Sequence, residues 1–159
     1  MKSRVLSLLD ELAVPYRWVD HPAVFTVAES QAVLDEHLPV KNLLLCEQNG
    51  PRRILVVMAG ERRLDLKALR GQLDSKKLQF AKPELLLASL GVTPGSVSLF
   101  SLLHEGAGEV ELVVDERLVV HEGEVGFHPS DNTATIFFPA AKLRRVAEAL
   151  RQRVRFISL

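Results

Sequence analysis

The chain has 159 residues, of which 47% are hydrophobic, and this is enough for one globular unit with a complete core. Its 20 basic and 20 acidic residues cancel, which excludes a strong overall field for nucleic acid, so any RNA contact must use local patches. We therefore expect a single domain over residues 1–159.

Other counts exclude several classes of protein. Cys46 is the only cysteine, which excludes an internal disulfide, and its position after three leucines favours an inert buried thiol over a nucleophile. The histidines include no pair at the i, i+4 spacing of a helical zinc motif; they are His21, His37, His104, His121 and His128. No apolar stretch approaches the roughly 20 residues that span a bilayer. We expect a cytoplasmic protein with no metal, no cofactor and no membrane contact.

The first third of the chain predicts two helices and three strands. Apolar residues at helical spacing predict a helix that Val14-Pro15 ends, and Tyr16 to Val19 alternates like a strand. Thr26 to Glu29 has capping-box spacing and opens a short helix to about His37. Two β-rich runs follow as a hairpin, with the positive backbone angles of its turn assigned to Asn49-Gly50; the runs are Val40 to Glu47 and Arg53 to Met58.

The remaining elements predict an α+β fold. Asp65 and Pro83 are typical of helix starts, and Gly91 is typical of a helix end. Apolar runs predict further strands, which are Ser96 to Leu103, Val110 to Val114, Leu118 to Val120, Thr133 to Phe138 and Val154 to Ile157. A last helix begins near Pro139. This mixture favours a mixed sheet or a partly closed barrel flanked by helices.

Two segments point at chemistry. Gly126 to Thr135 combines a glycine, a histidine, a proline and amide or hydroxyl side chains just before a buried strand. Val40 to Leu45 places a lysine and an asparagine at the start of another strand. The two together suit a pocket for a small molecule or for the end of a nucleotide chain.

Several blocks of the sequence, taken together and in this order, resemble the YbaK and prolyl-tRNA synthetase-associated editing family, in particular its free-standing prolyl-tRNA deacylase branch. The blocks are residues 21–26 (His-Pro-Ala-Val-Phe-Thr), 40–43 (Val-Lys-Asn-Leu), 65–69, 90–98 and 126–135. The resemblance implies hydrolysis of the ester that joins a wrong amino acid, typically alanine, to the tRNA for proline. It also implies a YbaK-like mixed sheet and no metal. The implied partners are the tRNA acceptor end and prolyl-tRNA synthetase.

The resemblance places the family's essential lysine at Lys41, with Asn42 beside it. A cation at a strand edge can hold a terminal phosphate or polarise an ester carbonyl. The local sequence alone favours a solvated strand-end lysine at this position, and the resemblance reverses that preference. Asn42 could position water or the amino group of the substrate, or make a strand-end hydrogen bond.

Four further residues complete the predicted site. His128 could donate a hydrogen bond or carry a proton, or be a structural histidine. Gly95 and Gly126 would bring backbone amides to the substrate, although a simple turn also suits Gly126. For Asn132 we expect a structural role in the loop first. The family pattern has a proline where this chain has Leu99, which puts selectivity in doubt more than the reaction class.

The sequence leaves alternatives open. Related editors act on tRNA charged with cysteine or serine, and a non-catalytic module could keep the pocket for an aminoacyl or adenosine-like ligand. Two basic groups could contact tRNA or could be solvated helix faces. The first comprises Lys67, Arg70, Lys76, Lys77 and Lys82, and the second comprises Arg144, Arg145, Arg151, Arg153 and Arg155.

Overall fold

The computed structural model describes residues 1–23 and 38–159. The α-helices in this part of the chain are α1 (Lys2–Glu11), α2 (Leu66–Leu73), α3 (Pro83–Leu90), α4 (Glu116–Val119) and α5 (Leu143–Ala149). Short 3-10 helices span Leu99–Leu103, Glu105–Ala107 and Ala140–Lys142. The strands are β1 (Arg17–Asp20), β2 (Val40–Glu47), β3 (Arg53–Ala59), β4 (Leu78–Phe80), β5 (Val110–Asp115), β6 (Glu124–Phe127), β7 (Ala134–Pro139) and β8 (Val154–Ile157).

The strands form two sheets. The larger sheet is mixed and has the order β4-β2-β3-β5-β8, with antiparallel pairs around β2 and parallel pairs around β5. The smaller sheet is antiparallel and has the order β1-β7-β6. An isolated parallel bridge between Leu38 and Val125 joins the approach to β2 to the smaller sheet. The predicted α+β fold with a mixed sheet and flanking helices is confirmed.

Strand alternation divides the apolar residues of the larger sheet between two layers. On its inner face, Leu44 and Leu55 pack in one cluster with Phe127 and Phe138 of the smaller sheet. Its opposite face, here called the α2 face, packs against α2 in a second cluster, which contains Leu45, Ile54, Val56, Met58, Leu69, Leu73, Leu78 and Val113. The larger sheet is therefore covered on both faces.

The local signals at the helix ends are confirmed. Asp65 caps α2 by accepting a hydrogen bond from the amide of Ala68 at 3.0 Å. Pro83 stands in the first turn of α3, and Gly91 ends that helix with a φ of 68°. The predicted helix that opens at Thr26 to Glu29 lies outside the described residues.

The predicted strand from Ser96 to Leu103 is wrong, because residues Leu99–Leu103 form a 3-10 helix. Ser98 starts this helix by accepting from the amide of Phe100 at 3.2 Å, and the amide of Ser98 donates to the hydroxyl oxygen of Ser101 at 3.0 Å. The residues of this run are apolar because they are buried in the cluster on the inner face of the larger sheet, and not because they pair in a sheet.

The predicted strand from Leu118 to Val120 is also wrong. Asp115 caps the short helix α4 through the amide of Arg117 at 3.1 Å, which turns the chain away from β5. Strand β6 was not predicted, because it has only four residues and one of them is a glycine.

The β2–β3 hairpin is confirmed, but its turn differs from the prediction. Positive φ angles occur at other residues and not at Asn49 or Gly50. A Cβ on Gly50 would lie 2.4 Å from Oε1 of Glu47, so the glycine is needed because the carboxylate folds over the turn. That carboxylate accepts from the amides of Arg52 and Lys76.

A half-buried ion pair ties β3, β5 and α2 together. The guanidinium of Arg52 donates to both carboxylate oxygens of Glu111, at 2.7 and 2.8 Å, and to the carbonyl of Leu73 at 3.0 Å. The side chains are 24% and 14% exposed. The hydrogen bond from Arg52 is the main cause that holds the pKa of Glu111 below its usual value of 4.5.

We predict that Glu111→Gln lowers the free energy of unfolding by about 1.5–3 kcal/mol at pH 7, the range for hydrogen bonds to charged groups. Because the folded-state pKa is depressed, the contribution is present above pH 4.5 and is lost as the pH falls through the folded value. Urea unfolding of both proteins between pH 3 and 7 measures this. The control is Glu109→Gln, because Glu109 is exposed. If the difference in unfolding free energy between the wild type and Glu111→Gln did not change with pH, the prediction would be wrong.

Candidate active site

Two histidines from distant parts of the chain meet at the edge of the smaller sheet. Pairing of β1 with β7 places Asp20 opposite Ala134, and the amide of His21 then donates to the carbonyl of Thr133 at 2.9 Å. His128 follows β6 and bonds through Nδ1 to the carbonyl of Ala134 at 3.0 Å. The two imidazole rings are 6.1 Å apart between centroids.

The hydrogen-bond partners of the two imidazole rings show which ring nitrogen carries the hydrogen. A carbonyl oxygen only accepts, so Nδ1 of His128 must carry a hydrogen, as must Nδ1 of His21, which lies 2.8 Å from the carbonyl of Pro22. Nε2 of His21 lies 2.8 Å from the hydroxyl of Thr135. When His128 is neutral, its Nε2 is therefore a lone-pair acceptor.

Burial keeps His128 in that neutral form. Desolvation is the largest cause that lowers the pKa of His128 from its ordinary value of 6.5, and His21 lowers it further. The carbonyl of Ala134 and the carboxylate of Asp131 oppose the shift. Nε2 of His128 can therefore accept a proton at neutral pH.

Ser98 anchors the backbone of His128. Its side chain is fully buried, and its hydroxyl donates to the carbonyl of His128. The loop before Ser98 contains Gly95, whose φ of 94° is a conformation that favours glycine. Leu99 follows and is fully buried in the cluster on the inner face of the larger sheet. The leucine that replaces the family proline therefore packs in the core.

Lys41 and Asn42 project to opposite faces of the larger sheet. Lys41 lies opposite Met58, on the α2 face, and Asn42 lies opposite Val57, on the inner face. Nζ of Lys41 donates to the carbonyl of Arg62. Partial burial is the first cause that lowers the pKa of Lys41 below its usual value, and the charge of Arg63 is the second.

The side chain of Asn42 contains an unusual acceptor. Its Oδ1 is buried and has no hydrogen-bond partner in the described structure. Since most buried polar atoms are paired, an unpaired acceptor in a candidate site is an opening for a ligand donor.

Gly126 has a structural reason to be glycine. A Cβ at this position would lie 2.7 and 2.9 Å from ring atoms of Phe137 and 2.9 Å from the methyl of Thr135, both on the neighbouring strand β7. The ring of Phe137 occupies the space that a side chain would need. Approach of a substrate to this backbone, our expectation from the sequence, stays a prediction.

Two residues outside the predicted site lie next to His128. Ser98 and His21 adjoin His128, while no contact among the described residues joins Lys41 to His128. Asn132 is half-buried in the loop before β7, and neighbouring Asp131 holds this loop by accepting from the amide of Thr133 at 2.7 Å.

Sequence reasoning gave no role to His21, Ser98 or Thr135. His21 opens the His-Pro-Ala-Val-Phe-Thr block, so its membership of that block was an available signal. Ser98 and Thr135 lie within blocks that also carry the resemblance, but nothing local indicates their contacts with the histidines.

Within residues 1–23 and 38–159, no group of three or more histidine, cysteine, aspartate or glutamate side chains could hold a metal ion. No helix in these ranges is long and apolar enough to cross a membrane. Cys46 is only half-buried, and its Sγ accepts from the amide of Gln79 at 3.7 Å.

Comparisons with known proteins agree with the resemblance. The profile of the family described as an aminoacyl-tRNA editing domain matches residues 21–146. The prolyl-tRNA editing protein ProX of Acetoanaerobium sticklandii is 36% identical over 150 residues, covering 93% of this chain and 91% of that protein. The prolyl-tRNA synthetase associated domain-containing protein 1 of Danio rerio is 32% identical over 153 residues, covering 93% and 82%.

Solved structures share the fold. A structure reported as hypothetical protein APE2540 superposes with a TM-score of 0.75 at 22% identity, covering 98% of this chain and 99% of that one. One reported as a proposed trans-editing enzyme for prolyl tRNA synthetase gives 0.72 at 20% identity, covering 99% and 96%.

The profile match and the identity to full-length relatives show that the chain belongs to the aminoacyl-tRNA editing domain family. It is accordingly an enzyme, an aminoacyl-tRNA hydrolase that cleaves an ester.

We predict that Gly126→Ala lowers the free energy of unfolding by about 1–3 kcal/mol, the usual cost of overpacking, because the ring of Phe137 must move. Gly71→Ala on α2 is the matched control, since a Cβ there meets nothing within 4 Å, and it should be neutral or stabilising. Urea denaturation measures both. Equal stabilities of Gly126→Ala and the wild type would show that Gly126 is not kept by packing.

We predict that His128 titrates with a midpoint below 6.5 and that His21→Gln raises this midpoint, because one source of repulsion is removed. NMR of the imidazole signals measures both. Since the folded-state pKa is depressed, His128 also makes the folded state less stable as the pH falls below 6.5 toward that value. A midpoint at or above 6.5 would refute the neutral assignment.

Proposed function

We propose that the protein is a trans-editing deacylase that hydrolyses mischarged tRNA for proline, with alanine as the amino acid removed. The names of its relatives, which specify prolyl-tRNA editing and association with prolyl-tRNA synthetase, support the tRNA and make that synthetase a candidate partner. The observation that carries the proposal is the imidazole of His128, whose Nδ1 is committed to Ala134 so that Nε2 remains an acceptor.

The reaction needs no covalent intermediate, because an aminoacyl ester is already activated. A water adds to the ester carbonyl, the bond from that carbon to the ribose oxygen breaks, and the released oxygen takes up a proton. Nε2 of His128 accepts a hydrogen bond from this water or from the neighbouring ribose hydroxyl and thereby orients it. The products are the free amino acid and the intact tRNA.

Lys41 supplies positive charge in this proposal. Its ammonium has three donors, and in the structure one of them is used by the carbonyl of Arg62. The other donors can hold the terminal phosphate or stabilise the negative charge that develops on the carbonyl oxygen. Partial burial strengthens either interaction, because it lowers the local dielectric constant.

Asn42 is proposed to receive the amino group of the substrate. Leaving a buried acceptor unpaired costs about 1–3 kcal/mol. The α-ammonium of an aminoacyl ester is a donor that would remove this cost at Oδ1 of Asn42. Backbone amides near Gly95 and Gly126 are proposed to surround the ester, with Asn132 supporting the loop.

Selection of alanine over proline is proposed to act by size. A small apolar pocket accepts a methyl group and excludes the proline ring by steric clash, which discriminates more strongly than a missing attraction. Leu99, in place of the family proline, is the residue through which the preference could extend to cysteine or serine.

We predict that Lys41→Ala lowers kcat/KM for alanyl-tRNA(Pro) by about 10²- to 10³-fold, the cost of removing one stabilising donor from a developing oxyanion. Deacylation of alanyl-, cysteinyl-, seryl- and prolyl-tRNA(Pro) is measured with the wild type and the variant. The matched control is Lys2→Ala, an exposed lysine on α1 that is expected to retain full activity.

The panel also separates the alternatives. Faster hydrolysis of the cysteinyl or seryl form would reassign the substrate, and binding without hydrolysis of any form would indicate a non-catalytic module. Full activity of Lys41→Ala would remove this lysine from the site.

A further inference from the structure

The α2 face carries a line of exposed basic side chains that begins beside Lys41. Arg63 lies next to Lys41, close enough for its charge to lower the pKa of the ammonium. Lys67 and Arg70 follow on α2, and Lys76 follows after the helix. These three residues and Arg63 are all exposed. We call Arg63, Lys67, Arg70 and Lys76 the α2 track.

Helical geometry shows which flank of α2 these residues occupy. Gln72 faces the β8 edge of the sheet, because its side-chain amide donates to the carbonyl of Ser158 at 3.3 Å. The backbone carbonyl of Gln72 also accepts from the guanidinium of Arg155 on β8. At about 100° per residue, Lys67 and Arg70 share a side and lie across the helix from Gln72. Since β8 and β4 are opposite edges of the sheet, Lys67 and Arg70 lie toward β2 and β4.

The two ends of the track are fixed to the two ends of β2. At the start, Lys41 is bonded to the carbonyl of Arg62, three residues before the cap of α2. At the far end, the amide of Lys76 donates to Glu47, the last residue of β2, at 2.8 Å. At about 3.3 Å per residue, the track is about 20 Å long.

The acidic residues nearby are largely occupied. Asp65 caps α2, and Glu47 accepts from the amides of Arg52 and Lys76. Glu61 is exposed just before Arg63 and Asp74 is exposed at the end of α2, so the track loses some of its charge at both ends. The basic side chains of Lys67 and Arg70 project from the middle of the line.

Two side chains of the track also make intramolecular hydrogen bonds, because Arg70 donates to the carbonyl of Ser75 at 3.3 Å and Nζ of Lys76 donates to the carbonyl of Asn49 at 2.9 Å. The second basic group in the sequence differs in that Arg144 has an acidic and an aromatic partner. Arg144 stacks on the ring of Phe156 at 3.9 Å and faces Glu148 at 4.0 Å, and Arg145 donates to the carbonyl of Leu12. Both project from α5, whose buried residues pack in the inner cluster. These arginines serve intramolecular contacts away from the α2 face.

We propose that the α2 track binds the phosphate backbone of the tRNA acceptor stem and aligns its 3′ end with Lys41. A row of separated cations matches the repeated charges of one nucleic-acid strand, and such contacts position a duplex without reading its sequence. The inference rests on the proposed function for the identity of the RNA, but the binding surface can be tested independently of hydrolysis.

The test compares Lys67→Gln/Arg70→Gln with the charge-matched pair Arg144→Gln/Arg151→Gln. Binding of uncharged tRNA(Pro) is measured by fluorescence anisotropy over a salt series, and melting temperatures verify folding. The track variant is expected to bind about tenfold more weakly. The slope of log K against log salt should fall by about 1.8, since each of the two phosphate contacts on a duplex contributes about 0.9. The matched pair should stay within twofold of the wild type.

Hydrolysis separates this inference from the proposed function. The track variant should lose about tenfold in kcat/KM on alanyl-tRNA(Pro) but retain the wild-type rate on a short alanyl-CCA oligonucleotide, which does not reach the track. Equal losses by both variant pairs, or an unchanged salt slope for the track variant, would overturn the inference. A wild type that hydrolyses neither substrate but whose tRNA binding still depends on Lys67 and Arg70 would refute the proposed function and support the track.

Discussion

The register of β2 against β3 is the constraint on which the proposed chemistry of Lys41 and Asn42 depends. Pairing of Lys41 with Met58 and of Asn42 with Val57 sends a cation to one face of the sheet and an amide to the other. A slip by one residue would exchange the two faces. It would also move Leu44 and Leu45 out of their clusters, so burial of the core holds the polar pair in place.

The smaller sheet supplies the basic nitrogen and the means of holding it. Pairing of β1 with β7 carries His21 to His128, and the buried hydroxyl of Ser98 fixes the same segment from a different part of the chain. Each contact uses a backbone carbonyl or amide, so the imidazole is positioned by the fold itself. A proton acceptor held this way needs little reorganisation when substrate arrives.

Features that depend on residues close together in the sequence could be predicted from it. Features that depend on contacts between distant parts of the chain could not. Asp65 and Gly91 act within one helical turn, and both were found from residue type and spacing. The run from Ser96 to Leu103 predicts a strand, because a short apolar run does not distinguish a buried 3-10 helix from a buried strand. The meeting of His21 with His128 depends on strand pairing, which no local pattern specifies.

The order of strands in the larger sheet also bears on how the chain folds. β3 pairs with β2 across a short turn, but its other neighbour, β5, joins from far along the chain, and β8 adds later still. Parallel pairings of this kind bring together distant parts of the chain. The conformational entropy of the long intervening loops is therefore lost before the stabilising contacts form. The contacts of the β2–β3 hairpin are local in sequence, so the hairpin can form before β5 arrives, and until then this edge of β3 has no partner strand.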